Sequence, residues 1–182
     1  KIMKVAIIGS GIVGLTLAHT LTEKNIEVTI FEKEKDSLSH GTGRNSGVIH
    51  SGIYYQPNTL RSNLCIKGAK LMKKFIIDNN LYINNCGKLL LPKTKNDIET
   101  LKLLYERSKE VGVEAQKLNS IEEIIRIEPN CNPLYNDALF IKDTAIADPK
   151  EVSNKLIEIL KKRNVIIKYG FKVDEISSEN TY

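Results

Sequence analysis

The sequence is poor in cysteine and has no apolar run long enough to cross a membrane. A membrane-spanning helix needs about 20 consecutive apolar residues. The first apolar run, residues 5–8, is too short for the core of a signal peptide and leads directly into glycines. Cys65, Cys86 and Cys131 are odd in number and show no CxxC spacing, which argues against a disulfide framework and against zinc. We therefore expect a cytoplasmic protein with no metal site.

Glycine and proline are also infrequent, at 11 and 5 of 182 residues, which excludes collagen-like and low-complexity classes. The 41% of hydrophobic residues is enough for one domain with a hydrophobic core and a smaller additional segment. The formal net charge is +5, but the lysines are scattered along predicted helices. We interpret them as solvated helix faces and expect no nucleic-acid partner.

A glycine motif follows the first predicted strand directly. Residues 4–8 contain four apolar residues in a row, which predicts a strand buried on both faces. Gly9, Gly11 and Gly14 then form G-x-G-x-x-G. In this motif the first glycine permits a tight turn, the second admits a pyrophosphate, and the third lets the following helix pack close to the strand. The pyrophosphate would lie at the helix N-terminus, beside Ile12.

An acidic residue ends the second predicted strand. The helix should end at Asn25, because asparagine tolerates the left-handed conformation of a C-cap. A strand over residues 28–31 then leads to Glu32, 18 residues beyond Gly14. A carboxylate at this spacing accepts hydrogen bonds from the adenosine ribose and would repel the 2′-phosphate of NADP, although Lys33 is adjacent. Strand, helix, second strand and acid in this order predict a dinucleotide site far more specifically than the glycines alone.

The segment after Glu32 distinguishes FAD from NAD. An NAD domain would continue with a helix and another strand, whereas residues 33–57 show no helical period and carry four glycines and a proline. This composition predicts a long ordered loop, and such loops are usually functional. We therefore favour FAD as the cofactor.

The centre of this loop reads TGRNSGVIHSGIYY over residues 42–55. This string resembles a motif of the D-amino-acid-oxidase-type superfamily of FAD enzymes, and within it most closely the L-2-hydroxyglutarate oxidases and dehydrogenases. Residues 85–89 and 127–130 are similar to that subgroup as well. The likeness runs through the whole chain, which would cover less than half of such an enzyme.

The resemblance implies which residues hold FAD. The ADP half would be held by Gly9, Gly11, Ile12, Gly14, Glu32 and Lys33. The pyrophosphate and ribityl chain, toward the flavin, would be lined by Thr42, Arg44, Asn45, Ser46, Gly47 and Val48. The backbone of Val173, in a strand predicted over residues 171–176, would touch adenine.

His50 is the single catalytic candidate, since the resemblance places it near the isoalloxazine. It could orient the substrate, act as a base for the substrate hydroxyl, or anchor the flavin covalently; the alternative is a structural histidine bonded within its own loop. The implied reaction is hydride transfer from a carbon bearing a 2-hydroxyl to the flavin, with electrons passing to oxygen or a membrane quinone. The substrate carboxylate partners are expected beyond residue 182.

The remaining periodicity predicts an α/β fold. Helices are expected over residues 60–79 and 96–111, after a capping box at Ser120, and after Asp148. The first carries an apolar stripe of Leu64, Gly68, Leu71 and Phe75. We expect a Rossmann-like FAD-binding βαβ domain of residues 1–75 and 148–182, truncated at the C-terminus, with an inserted α+β substrate-side segment of residues 76–147. Its parallel sheet should have helices on both faces.

Three functions stay open at this point. The first is FAD-dependent oxidation of a small 2-hydroxy acid such as L-2-hydroxyglutarate, as the N-terminal part of a larger enzyme. The second is an NAD-dependent dehydrogenase fragment. The third is a catalytically inactive split or degenerate fragment that at most binds a dinucleotide, and it predicts an exposed apolar face. A separate C-terminal half is an expected partner, and a peripheral position at the inner face of the cell membrane is an alternative location.

Overall fold

The computed structural model describes residues 3–177. The chain divides into two compact units, Lys1–Ser46 with Asp148–Tyr182 and Gly47–Ala147. The elements in chain order are β1 (Lys4–Ile8), α1 (Ile12–Thr22), β2 (Glu27–Phe31), a 3-10 turn (Gly41–Gly43), β3 (Val48–Ile49), α2 (Leu60–Asp78), β4 (Ile83–Asn84), β5 (Lys88–Leu90), α3 (Lys95–Val111), β6 (Ala115–Leu118), α4 (Ile121–Ile127), β7 (Ala138–Ile141), β8 (Ala145–Ala147), α5 (Pro149–Lys162) and β9 (Ile166–Lys168). Across the described residues, no helix is long and apolar enough to cross a membrane.

The first unit is a parallel sheet covered by two helices. Its strand order is β1-β2-β9, and the register aligns Ile7 with Ile30 and Ile30 with Ile167. Helix α1 connects β1 to β2, as in a βαβ unit, and α5 packs against α1. The buried side chains of the helices include Leu15 on α1 and Leu156 on α5. The predicted α/β class and the predicted βαβ start are therefore confirmed.

Only one face of this sheet is covered within residues 3–177. Ile7 and Ile30 are buried, whereas Ile8 and Ile166 are 58% and 57% exposed. Successive side chains of a strand point to opposite faces, so a strand covered on one side alone must expose every second residue. The predictions that β1 is buried on both faces and that helices cover both faces are therefore wrong for the described part of the chain.

The helix boundaries follow the local signals. Asp148 caps α5, since its carboxylate Oδ1 accepts hydrogen bonds from the amides of Lys150 (2.7 Å) and Glu151 (3.4 Å). Pro149 occupies the first turn, as predicted. Asn25 does adopt the left-handed conformation, with φ 57°, although α1 ends three residues earlier, at Thr22.

The second unit contains two antiparallel sheets, β3-β8-β4 and β5-β7-β6. Strand β3 belongs to it because Val48 pairs with Ile146 of β8. The fully buried Ile53 joins the core of this unit with Leu104 and Ile141. Residues 47–75, predicted to fold with the FAD-binding domain, therefore lie in the second unit instead. The functional role of each unit stays a prediction.

Helix α2 buries a different face from the predicted one. Leu64 and Leu71 of the predicted apolar stripe are both 58% exposed, whereas Ser62 and Ile76 are completely buried. The helix therefore packs against its unit through the face that carries Ser62 and Ile76, with Ile66 packed against the core. Hydrophobicity alone selected the wrong face.

Residues 171–176, predicted to be a strand, form none. Gly170 turns the chain with φ 67°, and the amide of Phe171 donates to the backbone oxygen of Glu32 (2.8 Å). A strand exists only where a neighbouring strand satisfies its backbone groups, and no described segment pairs with residues 171–177. The predicted strand is therefore wrong for this structure.

Candidate dinucleotide-binding site

The glycine turn between β1 and α1 requires glycine at two positions. Gly9 has φ 97°, a conformation that side-chain-bearing residues rarely adopt, and its amide donates to the Phe31 oxygen at the end of β2 (2.8 Å). At Gly14 an added Cβ would overlap the carbonyl oxygen of Gly9 and lie 3.3 Å from Ile7 Cγ2. The helix therefore approaches β1 as closely as the motif predicts.

The N-terminus of α1 is open to an anion. Gly11 is the N-cap residue and has no side chain to bond the helix amides, and the first turn contains no acidic residue. The amide of Ile12 donates to Thr42 Oγ1 (3.0 Å), which ties the later loop to this end of the helix. The partial positive charge of a helix N-terminus favours a negatively charged group such as a pyrophosphate.

Glu32 is buried at the end of β2, with 8% of its surface exposed. Its Oε2 accepts two hydrogen bonds from Ser10, one from the amide (2.8 Å) and one from the hydroxyl (2.9 Å). Its Oε1 accepts the amide of Glu34 (3.0 Å). Burial raises the pKa of Glu32, but these hydrogen bonds and the nearby His40 together hold it below the ordinary value, so the side chain is an anion at neutral pH. A carboxylate offers about four acceptor positions, so capacity remains for a ribose hydroxyl.

Ser10 is the site residue that the sequence did not reveal. It occupies a variable position of the glycine motif, is completely buried, and supplies two of the three donors to Glu32. Its role depends on the approach of two segments that are 22 residues apart, which no spacing rule predicts.

The loop from residue 41 to residue 46 is closed by Asn45. Its Nδ2 donates to the backbone oxygens of Gly41 (3.2 Å) and Thr42 (2.9 Å), which fixes the 3-10 turn that carries the Thr42 hydroxyl. Arg44 and Ser46 are exposed on the same loop. Thr42 thus lies at the α1 N-terminus, and Asn45 holds the turn that carries it. The contact of these residues with a pyrophosphate stays a prediction.

Lys33 is directed to a different carboxylate from the one predicted to bind ribose. Its Nζ lies 3.6 Å from Glu34 Oε1, and His40 Nε2 lies 2.8 Å from the same oxygen. Glu34 thereby pairs with both Lys33 and His40, and Glu32 forms no ion pair with Lys33 or His40 within the described residues.

The other predicted residues lie outside this cluster. Gly47 and Val48 belong to the second unit, where the Gly47 oxygen accepts the Ala147 amide (3.0 Å). His50 follows β3 in that unit and is exposed, and no hydrogen bond of its side chain occurs within the described residues. Val173 is half-buried in the first unit, two residues after the amide that binds the Glu32 backbone.

A parallel βαβ unit with this glycine turn and a buried, ionised carboxylate at the end of its second strand defines a Rossmann-type dinucleotide-binding protein. Within that class, the chain belongs to the DAO family of FAD dependent oxidoreductases, whose family model matches residues 4–181. FAD is the cofactor of that family. The described residues fit its ADP half, because the close Gly9–Gly14 approach, the open helix N-terminus and the Glu32 carboxylate are all present.

Comparison with individual proteins gives the same family. The chain is 43% identical to the mitochondrial L-2-hydroxyglutarate dehydrogenase of Dictyostelium discoideum, over 84% of this chain and 34% of that protein. It is similar to L-α-glycerophosphate oxidase of Mycoplasma pneumoniae with FAD bound (TM-score 0.79, 26% identity, 93% and 45% of the two chains). Its fold also matches L-proline dehydrogenase from P. horikoshii (TM-score 0.87, 24% identity, 99% and 47%). The chain spans about a third to just under half the length of the curated relatives it matches.

Proposed function

We propose that this chain is the N-terminal part of an FAD-dependent oxidoreductase that oxidises a small 2-hydroxy acid such as L-2-hydroxyglutarate. The observation that carries the proposal is the buried Glu32 carboxylate, held by Ser10 beside the glycine turn. It is supported by the family match and by the names of relatives that share up to 43% of their residues with the matched part of this chain.

When bound, FAD supplies the group that accepts the hydride from the carbon bearing the 2-hydroxyl. The residues of this chain hold and orient it. Gly9 and Gly14 permit the close approach, the α1 N-terminus faces the pyrophosphate, and Glu32 accepts the ribose hydroxyls. Thr42 fixes the following loop to the same helix end, and Arg44, Asn45, Ser46, Gly47 and Val48 would continue along the cofactor.

Val173 would contact adenine through its backbone. The proposal is supported by the hydrogen bond from the Phe171 amide to the Glu32 backbone oxygen (2.8 Å), which brings the segment to the carboxyl end of β2. This contact needs only the backbone, so it does not require the strand that the sequence predicted.

His50 would act on the substrate hydroxyl or orient it. Its exposed imidazole makes no hydrogen bond among the described residues, which favours a role toward a ligand over a structural role within its loop. We expect His50→Gln to slow flavin reduction without weakening FAD binding. Flavin that stays with the precipitated native protein in acid, and is released from precipitated His50→Gln, would identify His50 as a covalent anchor.

An exposed apolar face on the first unit supports the inactive-fragment alternative, in which the chain lacks a segment that the active enzyme needs. Ile8, Ile166 and Phe171, with exposures of 49% or more, leave an apolar surface on the open side of the first unit. We propose that a further polypeptide segment, in the same or a separate chain, covers this face in the active enzyme. Light scattering that shows oligomers of the chain alone, and a monomer for Ile8→Lys, would support a cover for this face.

We further propose that the protein binds peripherally to a membrane. This position would suit a membrane quinone as the electron acceptor, and oxygen is the alternative acceptor. The outward face of α2 carries Leu60, Leu64 and Leu71 with exposures of 58% or more, and Lys67 and Lys70 are exposed on the same helix. Such a surface suits anionic lipid headgroups. Cosedimentation with anionic vesicles that is lost in Leu64→Glu would support it, and binding to neither anionic nor neutral vesicles would favour a cytoplasmic location.

The decisive test is anaerobic mixing of the FAD-loaded protein with L-2-hydroxyglutarate. Bleaching of the visible flavin band by this compound, and not by its D-enantiomer, is the expected result. Bound FAD that is never bleached would indicate the inactive fragment. Equilibrium binding of NAD without binding of FAD would indicate the NAD-dependent alternative.

A further inference from the structure

Two consecutive tyrosines in the second unit, Tyr54 and Tyr55, are contacted by three cations from three different elements. Lys88 Nζ of β5 lies 4.7 Å from the ring centroid of Tyr54, and Arg107 of α3 donates to the Tyr54 backbone oxygen (3.3 Å). The guanidinium carbon of Arg61, on α2, lies 5.0 Å from the ring centroid of Tyr55. We call Tyr54, Tyr55, Arg61, Lys88 and Arg107 the Tyr54 cluster.

The turn that presents these tyrosines is firmly anchored. Ile53 is completely buried in the core of the unit, and the Tyr55 amide donates to the Gly52 oxygen (3.1 Å). Tyr54 itself remains 45% exposed, so its ring and the cation beside it are open to a ligand. The buried Ile53 and this backbone hydrogen bond fix the turn that the three cations contact.

The Tyr54 cluster contains no negative charge. Elsewhere in the described residues the cations commonly form ion pairs, as Lys142 does with Glu114 and Lys109 with Glu106. Arg61, Lys88 and Arg107 form none within residues 3–177. Lys88 and Arg107 are also partly withdrawn from water, which is costly for a charge without an opposite partner. A bound anion would relieve this cost.

We propose that the Tyr54 cluster is a binding site for a carboxylate of a small dicarboxylate ligand. The inference rests on the proposed function, because a 2-hydroxy diacid has one carboxylate beside the reacting carbon and a second at its far end. The planar guanidinium fork matches a carboxylate in shape, and a lysine and a tyrosine hydroxyl add further donors. The proposed site would supply carboxylate-binding cations from within this chain, whereas the sequence led us to expect them beyond residue 182.

The test is calorimetric titration of the full chain, loaded with FAD, with glutarate as an unreactive dicarboxylate. Arg107→Gln and Lys88→Gln each remove one cation from the cluster, and Lys88→Gln leaves the hydrogen bond from Arg107 to the Tyr54 backbone oxygen intact. Lys117→Gln is the matched control, since Lys117 also lies over a tyrosine ring of this unit, 4.3 Å from the centroid of Tyr105. Butyrate and inorganic phosphate serve as monocarboxylate and non-carboxylate comparisons.

We expect glutarate to bind more tightly than butyrate or phosphate, and each cluster variant to weaken binding about tenfold or more, as for loss of a charged hydrogen-bond partner. Lys117→Gln should leave it unchanged. No glutarate binding, equal binding in Lys88→Gln, or tighter binding of phosphate would overturn the site. If FAD fails to bind while glutarate binding remains sensitive to Lys88→Gln, the proposed function fails and the carboxylate site stands.

Discussion

Replacing Gly14 with alanine tests the close approach of α1 to β1. The new methyl group would overlap the carbonyl oxygen of Gly9 and lie 3.3 Å from Ile7 Cγ2. Because the overlapped atom belongs to the backbone, the helix or the glycine turn must move, and such overpacking costs roughly 1–3 kcal/mol. Alanine also gains about 1 kcal/mol over glycine inside a helix, which offsets part of that cost.

Gly68→Ala is the matched control, since Gly68 also lies inside a helix and an added Cβ meets nothing within 4 Å. We expect this control to gain about 1 kcal/mol, or roughly 2–4 °C in the thermal midpoint. Gly14→Ala should be less stable than the control by about 1–3 kcal/mol in urea unfolding and should lose FAD binding. Equal stability of the two variants, with FAD retained, would refute the close packing at the glycine turn.

Three further predictions concern single interactions. Thr42→Val removes the acceptor of the Ile12 amide, which should cost about 1 kcal/mol and speed hydrogen exchange at that amide; unchanged exchange would contradict the contact. Asp148→Ala should destabilise the protein by about 0.5–2 kcal/mol in thermal unfolding, whereas Asp148→Asn keeps most of the cap. Because the pKa of Glu32 is held below its ordinary 4.5, its contribution to the free energy of unfolding is complete above that pH and is lost as the pH falls through the lowered pKa. Urea unfolding should therefore lose more stability on acidification in the native protein than in Glu32→Gln.

Features fixed by short-range contacts could be predicted from the sequence. The Asp148 cap involves amides two and three residues away, and the left-handed Asn25 depends on its own backbone alone. The capping role of Ser120 is also confirmed, since its hydroxyl accepts the Glu123 amide (3.2 Å). Each of these features depends on residues that are at most three positions apart, so the local sequence is enough to predict it.

Features that depend on a distant partner could not be predicted. Ser10 binds Glu32 across 22 residues, and the short strands β4 and β6 exist because β8 and β7 pair with them. The exposed Ile8 and Leu64 show the same limit, because an apolar pattern does not state which element covers it. The strand predicted over residues 171–176 failed for this reason as well.

The central claim is that the first unit holds FAD, and a visible absorption spectrum of the purified protein, before and after acid precipitation, tests it most directly. We predict a flavin band, restored by added FAD if the cofactor is lost during purification. The colour that remains with the precipitate or passes into the supernatant then decides whether the flavin is covalently linked. A colourless protein that takes up no added FAD would contradict the account.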